Sequence, residues 1–199
     1  MWEMRIVRLS KKTLEKIAKE TANKLNAGKV IACPTDTVYG LIADATNKKA
    51  VERVLLIKGR KKTKPLPIFV SSITMAKRFA HISERQEKFL KKSWPGKVTA
   101  VLESRDVLPR ETGTRESIGL RVPKHTLVRE ILQKAKIPLT GTSANISGES
   151  PLRDSKEIFR QFQNRTYTPD ILIDEGKLSF SRPSKVIDIR GQKAKILRP

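Results

Sequence analysis

Lys58, Arg60, Lys61, Lys62 and Lys64 fall within seven residues, interrupted by Gly59 and followed by Pro65, so a helix cannot run on through them. A turn this dense in cations suits an anion, although the same run would also serve as an ordinary solvated loop. Two other stretches put small polar residues at element ends: Pro34-Thr35-Asp36-Thr37-Val38-Tyr39-Gly40, and the run from Thr142 to Gly148. In the second, Ser143, Asn145 and Ser147 alternate with Ala144 and Ile146, and their side chains and amides suit phosphate oxygens, a base edge or a plain turn. Arg121 stands inside the apolar run Gly119-Leu120-Arg121-Val122-Pro123, where a guanidinium is costly unless an anion pairs with it. That anion is either a carboxylate of the protein or one of a ligand, taken by a bidentate contact.

Other chemistries have no residues to carry them. Neither G-x-x-x-x-G-K-[ST] nor G-x-G-x-x-G occurs, so a nucleotide would be held by separate cations and backbone donors. His81 and His125 have no partner at metal-ligand spacing, which predicts no structural metal on the protein. Asp36, Asp44 and Asp188 are scattered acids, each readable as a cap or an ion-pair partner, with Asp36 nearest the expected cleft.

The elements that must position these groups follow from periodicity. A helix is expected over residues 10–26, capped by Ser10, then a strand over 29–33 that delivers the first loop. A helix over 48–58 ends at Gly59 and delivers the cationic turn. Strands are expected over 65–71, 98–102, 117–122, 137–140, 171–173, 186–189 and 195–197, and further helices over 72–80, 83–92, 125–134 and 154–162. The polar 105–116 segment reads as a mobile loop. Strands alternating with helices, then a closing run of strands, predict an α/β or α+β domain with one twisted mixed sheet flanked by helices. Three loops at strand ends could then line one cleft.

Composition sets the class of partner. At 199 residues, 38% of them hydrophobic, the chain suits a single domain over 1–199. Its 42 Lys and Arg against 20 Asp and Glu give a net charge of +22, a surface that attracts nucleotides or nucleic acid. Aromatics at 5% supply no aromatic-rich RNA motif. Cys33 is the only cysteine, so no intrachain disulfide or redox pair forms, and a reducing cytoplasm fits. No run approaches the ~18 apolar residues of a membrane span, so no membrane partner is expected.

Taken together, the motifs resemble the YrdC-like family, the threonylcarbamoyl-AMP synthases. They are Pro34 to Leu41, Lys58-Gly59-Arg60, Pro65-Leu66, Trp94 to Thr99, Gly119 to Pro123, Ser143 to Gly148, Pro183 to Asp188 and Ile196 to Pro199, in the family's order across nearly the whole chain. The resemblance implies a YrdC-like fold with a basic cleft. It also implies a nucleotidyltransferase that converts L-threonine, bicarbonate and ATP, with Mg²⁺ arriving on the ATP, to threonylcarbamoyl-AMP and pyrophosphate for t6A modification of tRNA. Downstream threonylcarbamoyl-transferase proteins are the implied partners. The family's Lys-x-Arg and Ser-x-Asn pairs fall on Lys58, Arg60, Ser143 and Asn145, with Lys58 and Arg60 the implied catalytic cations. By the same resemblance Thr35, Thr37, Arg121 and Ser184 would hold threonine, and Lys64, Ser117, Thr142 and Arg198 would join the nucleotide side. The chain departs from the family at Lys64, where Asn is common, and at Phe69, where His is common. It also stops just after Leu-Arg-Pro, so the C-terminal domain and covering linker of longer relatives would be absent. An RNA-binding module on the same fold, contacting tRNA or rRNA through its basic surface, and a paralogue without synthase activity are the alternative readings.

Overall fold

Twelve strands and six α-helices are formed by the residues that the computed structural model describes, 4–60 and 65–199. Five strands make a first mixed sheet in the order β1 (Arg5–Arg8), β10 (Ile171–Asp174), β2 (Ile31–Cys33), β3 (Gly40–Ile42) and β9 (Thr142–Ser143). β1, β10 and β2 run parallel, and β3 is antiparallel to both β2 and β9. The second sheet has seven strands. Its order is β12 (Lys195–Arg198), β11 (Lys185–Asp188), β6 (Val98–Ser104), β7 (Ser117–Arg121), β4 (Ile68–Phe69) and β8 (Leu139–Thr140), with β5 (Ala80–His81) paired to β6 off that path.

The mixed α/β class thus holds, while the ladder divides into two sheets where one was expected. The division happens at a single stretch of chain. β8 pairs with β4 of the second sheet and β9, two residues on, pairs with β3 of the first, so Gly141 sits at the crossing. The sheets stay in touch there: Thr140 N–H donates to the Ala43 carbonyl at 2.9 Å, and Ala43 N–H donates to Thr140 Oγ1 at 2.9 Å.

Helices cover the sheets through apolar stripes. α1 (Leu14–Asn26) buries Ile17, Ala18, Thr21, Ala22 and Leu25, and packs against α5 (Thr126–Ala135), which buries Leu127, Val128, Ile131 and Leu132. α1 starts three residues later than expected, capped at Thr13 in place of Ser10, because Ser10 and Thr13 bond each other: Ser10 N–H donates to Thr13 Oγ1 at 3.0 Å and Thr13 N–H to the Ser10 carbonyl at 3.1 Å. Such local side-chain bonds compete with the first helical turn. α2 (Lys48–Lys58) ends at Gly59, left-handed at φ 57°, where glycine carries no Cβ penalty. α3 (Ile73–Ala76) and α4 (Glu84–Ser93) close the second sheet from below around Phe79, Leu90 and Leu102. α6 (Ser155–Phe162) sends Ile158 and Phe162 into the core beside α2.

Three expectations need correction. The helix over 72–80 is a single turn, α3, followed by the short strand β5. The 105–116 segment, expected as a mobile loop, contains a 3-10 helix, Arg110–Thr112, with Glu111 and Thr112 buried and the Leu66 N–H bonded to the Glu111 carbonyl at 2.8 Å. β1, β3 and β9 were not expected, because strands of two to four residues, one of them an exposed edge, carry too little alternation to read. Among the described residues, no helix is long and apolar enough to cross a membrane.

Asp170 fastens the first sheet to α2. Its Oδ2 accepts from Arg53 Nη1 at 2.6 Å and from Val30 N–H at 2.8 Å, and Lys29 Nζ lies 3.4 Å from Oδ1. Asp170→Ala removes a mostly buried carboxylate that accepts from both Arg53 and the Val30 backbone, and should lower unfolding free energy by about 3 kcal/mol, read from the denaturant midpoint. A loss under about 1 kcal/mol would mean that the carboxylate is no more than a surface partner.

Candidate functional site

Residues two apart on a strand face the same side, and that alternation builds one wall of a cavity of about 540 Å³. On β7, Ser117, Gly119 and Arg121 line it while Ile118 and Leu120 enter the core. Thr99 and Val101 of β6 do the same against Ala100 and Leu102. Ser184, Val186 and Asp188 extend the wall along β11, and Leu197 and Arg198 along β12. The facing side comes from the first sheet: Thr35, Thr37 and Gly40 from the β2–β3 connection, and Thr142 and Ser143 from β9. A volume of this size fits a small substrate or nucleotide.

Arg121, 3% exposed, is held from several directions. Nε donates to the Gly96 carbonyl at 2.8 Å, Nη2 donates to Asp36 Oδ2 at 2.7 Å, and Cζ lies over the Phe69 ring at 5.6 Å from its centroid. Burial lowers the guanidinium pKa, Asp36 raises it, and Arg198 lowers it again. The bidentate contact expected of Arg121 is therefore partly spent inside the protein, on a loop aspartate, although the residue also lines the cavity.

Arg60 lines the cavity from beyond the α2 cap. Nη2 donates to the Pro65 carbonyl at 3.2 Å, and Nε is buried with no hydrogen-bond partner among the described residues. Burial lowers its pKa. A guanidinium on the cavity wall suits an anion.

Lys58 is placed differently: at 2% exposed it lies behind the cavity wall rather than on it. Its Nζ donates to the Ser143 carbonyl at 2.6 Å, the Asn145 carbonyl at 2.8 Å and Asn145 Oδ1 at 3.4 Å. Burial, with the nearby Arg60 charge, pushes the ammonium down to about 7, while the carbonyl oxygens around Nζ oppose that shift. Asn145 is likewise buried behind the loop, its Nδ2 donating to the Ile146 and Glu149 carbonyls. Gln161 of α6 braces the same loop, accepting from Ile146 N–H at 3.1 Å and donating to Glu149.

Ser184 and Arg198 close the far end. Arg198 donates through Nη2 to the Ser184 carbonyl at 2.7 Å and to Ser184 Oγ at 3.0 Å, and Ser184 Oγ lies 3.3 Å from Thr99 Oγ1. Thr35 and Thr37 interlock at 3.1 Å between hydroxyls, with Thr35 donating to the Val38 carbonyl at 2.6 Å. The structure thus gathers Thr35, Thr37, Arg60, Ser117, Arg121, Thr142, Ser143, Ser184 and Arg198 on one cavity, with Lys58 and Asn145 behind it. Lys61, Lys62 and Lys64 lie outside the described residues.

Sequence reading missed Arg190, which also lines the cavity and pairs with Asp188 at 2.8 Å. The Asp-x-Arg spacing at a strand end was the available signal, since residues two apart share a face. Gly141 was missed as well: a Cβ there would meet the Phe69 ring at 2.5 Å.

Asp36→Ala leaves Arg121 buried without its carboxylate and should cost about 3 kcal/mol of stability. Replacing Arg121 by Leu and Asp36 by Ala together should cost less than the two single losses summed, measured in a double-mutant cycle. Simple additivity would remove the ion pair from the account.

The family model Sua5_yciO_yrdC, described as "Telomere recombination", matches residues 23–199. A Methanocaldococcus jannaschii protein, provisionally named a threonylcarbamoyl-AMP synthase, is 37% identical over 92% of this chain and 83% of its own. The structure of P. abyssi Sua5 complexed with L-threonine superposes with a TM-score of 0.88 at 32% identity, covering 98% of this chain and 57% of that one, so the chain spans just over half of that relative. E. coli YciO, at 22% identity, shares the fold with a TM-score of 0.84 over 100% of this chain and 95% of its own. With the family model spanning most of its length, and a relative of similar size above the identity at which kinship is secure, the chain belongs to the Sua5/YciO/YrdC family.

Proposed function

We propose that this chain is a threonylcarbamoyl-AMP synthase, a nucleotidyltransferase acting on L-threonine, bicarbonate and ATP. The observation that carries the reading is one cavity lined by two separate guanidiniums, Arg60 and Arg121, in a family whose named members include synthases of this activity.

The reaction asks for such a site. Threonine amine and bicarbonate condense to a carbamate and water, and a carbamate oxygen then attacks the α-phosphorus of ATP as pyrophosphate leaves. Nucleophile and electrophile are both anionic, so cations must offset their repulsion and positioning must do much of the rest. Arg121 takes the threonine carboxylate, with Thr35, Thr37 and Ser184 around the amino acid. Arg60 meets the triphosphate, and Ser143 and Thr142 present hydroxyls and amides beside it. Lys58 works from behind, fixing the Ser143–Asn145 backbone and adding positive charge once an anion arrives.

Mg²⁺ enters as the ATP complex, with phosphate oxygens as its ligands. Among the described residues no group of three or more His, Cys, Asp or Glu is placed to hold a metal, and Asp188, a carboxylate of the cavity, is already paired with Arg190. The product adenylate then passes to a protein that transfers the threonylcarbamoyl group to tRNA.

Incubation with ATP, Mg²⁺, threonine and labelled bicarbonate should yield a threonine-dependent adenylate and pyrophosphate; their absence over a range of pH and Mg²⁺ contradicts the reading. Arg60→Ala should lower the rate by about 10²-fold or more without shifting Tm.

The Lys58 pKa gives a second readout. An amine held at about 7 is largely neutral at pH 8, and a bound triphosphate raises its pKa, so ATP binding there should take up protons. Calorimetry in buffers of different ionisation enthalpy should detect this uptake at pH 8, little of it at pH 6, and none in Lys58→Met. Folding obeys the same sign. The unfolded lysine binds its proton more tightly than the folded one, so the Lys58 contribution to stability rises from about pH 7 towards its ordinary range near 10.5.

A further inference from the structure

Phe69 occupies a position in the cavity where its neighbours leave it little freedom. It sits on β4, in register with Arg121 of β7 on one side and Leu139 of β8 on the other. The ring is 3% exposed, lines the cavity, and lies against the Arg121 guanidinium at 5.6 Å. Gly141, at the crossing between the sheets, leaves space for it: a Cβ there would come within 2.5 to 2.8 Å of three ring atoms. The backbone on one side and the guanidinium on the other hold an apolar wall next to the cation that takes the carboxylate.

We propose that Phe69 sets the amino-acid selectivity of this site, a statement that rests on the synthase reading. In an α-amino acid, Cβ is two bonds from the carboxylate carbon. A carboxylate on Arg121 therefore brings the β-substituents against the ring stacked on that same guanidinium. The ring has neither donor nor acceptor, so this wall selects by shape: it accepts a β-branched side chain and supplies no hydrogen bond to a β-hydroxyl. An apolar wall distinguishes poorly between isosteres that differ by a hydroxyl, whereas a site built to bond that hydroxyl rejects its absence strongly. The substrate class is the β-branched amino acids, with threonine preferred over its isostere valine by a modest factor.

The test measures kcat/KM for threonine and valine by pyrophosphate release, and equilibrium binding of both by calorimetry. The Thr35, Thr37 and Ser184 hydroxyls near the amino acid are bonded within the protein, so in the native protein the threonine-to-valine ratio should be about 10² or less. Phe69→His, which places a donor and acceptor on the wall, should raise that ratio about tenfold or more. Phe69→Leu keeps the wall apolar and removes the stacking on Arg121, so it should raise KM for both amino acids together and leave the ratio unchanged. Gly141→Ala should push the ring and raise KM for threonine. A native ratio above about 10², or a ratio untouched by Phe69→His while threonine still binds, overturns the proposal and leaves the synthase reading standing. Absence of both binding and turnover with either amino acid overturns the two together.

Discussion

A guanidinium in the middle of an apolar strand has to be matched, and the way Arg121 is matched organises the molecule around it. Its carboxylate partner, Asp36, comes from the β2–β3 connection of the first sheet, while Arg121 belongs to β7 of the second. The pair therefore spans the gap between sheets at 2.7 Å, where side-chain exposures of 4% and 11% leave little screening by water. Gly96 and Phe69 complete the surroundings, so the orientation of the guanidinium is settled before any ligand arrives. Preorganised charge of this kind is what a reaction between anions uses, because nothing has to reorient as it proceeds.

The second constraint is the passage of the chain from one sheet to the other. Between Leu139 and Ser143 it serves β8 and then β9, and the loop that follows carries Ser143 and Asn145. That loop has almost no regular structure of its own. Lys58 at the end of α2 holds its carbonyls, and Gln161 of α6 holds it from another direction. The cleft is thus a consequence of topology, and the buried lysine is the device that fixes the loop exposed by that topology. Its depressed pKa follows from the same burial.

Much of this was legible in the residues, for physical reasons that vary with the element. α2 and its Gly59 cap carried both periodicity and a stop signal, and the structure gives the same bounds. The strand over 117–122 was expected, and its alternation is what puts Ser117, Gly119 and Arg121 on the cavity face. The division into two sheets was hidden because β3 and β9 are three and two residues long, too short for alternation to register. The role of Lys58 was hidden too, since a cationic run gives no sign of which member turns inward. Only the fold places that side chain behind the loop, leaving Arg60 on the cavity. The 105–116 segment misled by its polarity, as Glu111 is buried and its carbonyl accepts from Leu66, which lies far away in sequence.

The central claim is that amino acid and nucleotide meet in the cavity between the two sheets. A crystal structure of the protein with L-threonine and a non-hydrolysable ATP analogue tests it most directly. The account predicts the threonine carboxylate on Arg121 beside Phe69, the triphosphate on Arg60 and the loop after β9, and the threonine amine turned towards the α-phosphorus. Threonine or nucleotide seated elsewhere on the protein, with the cavity left to solvent, would contradict it.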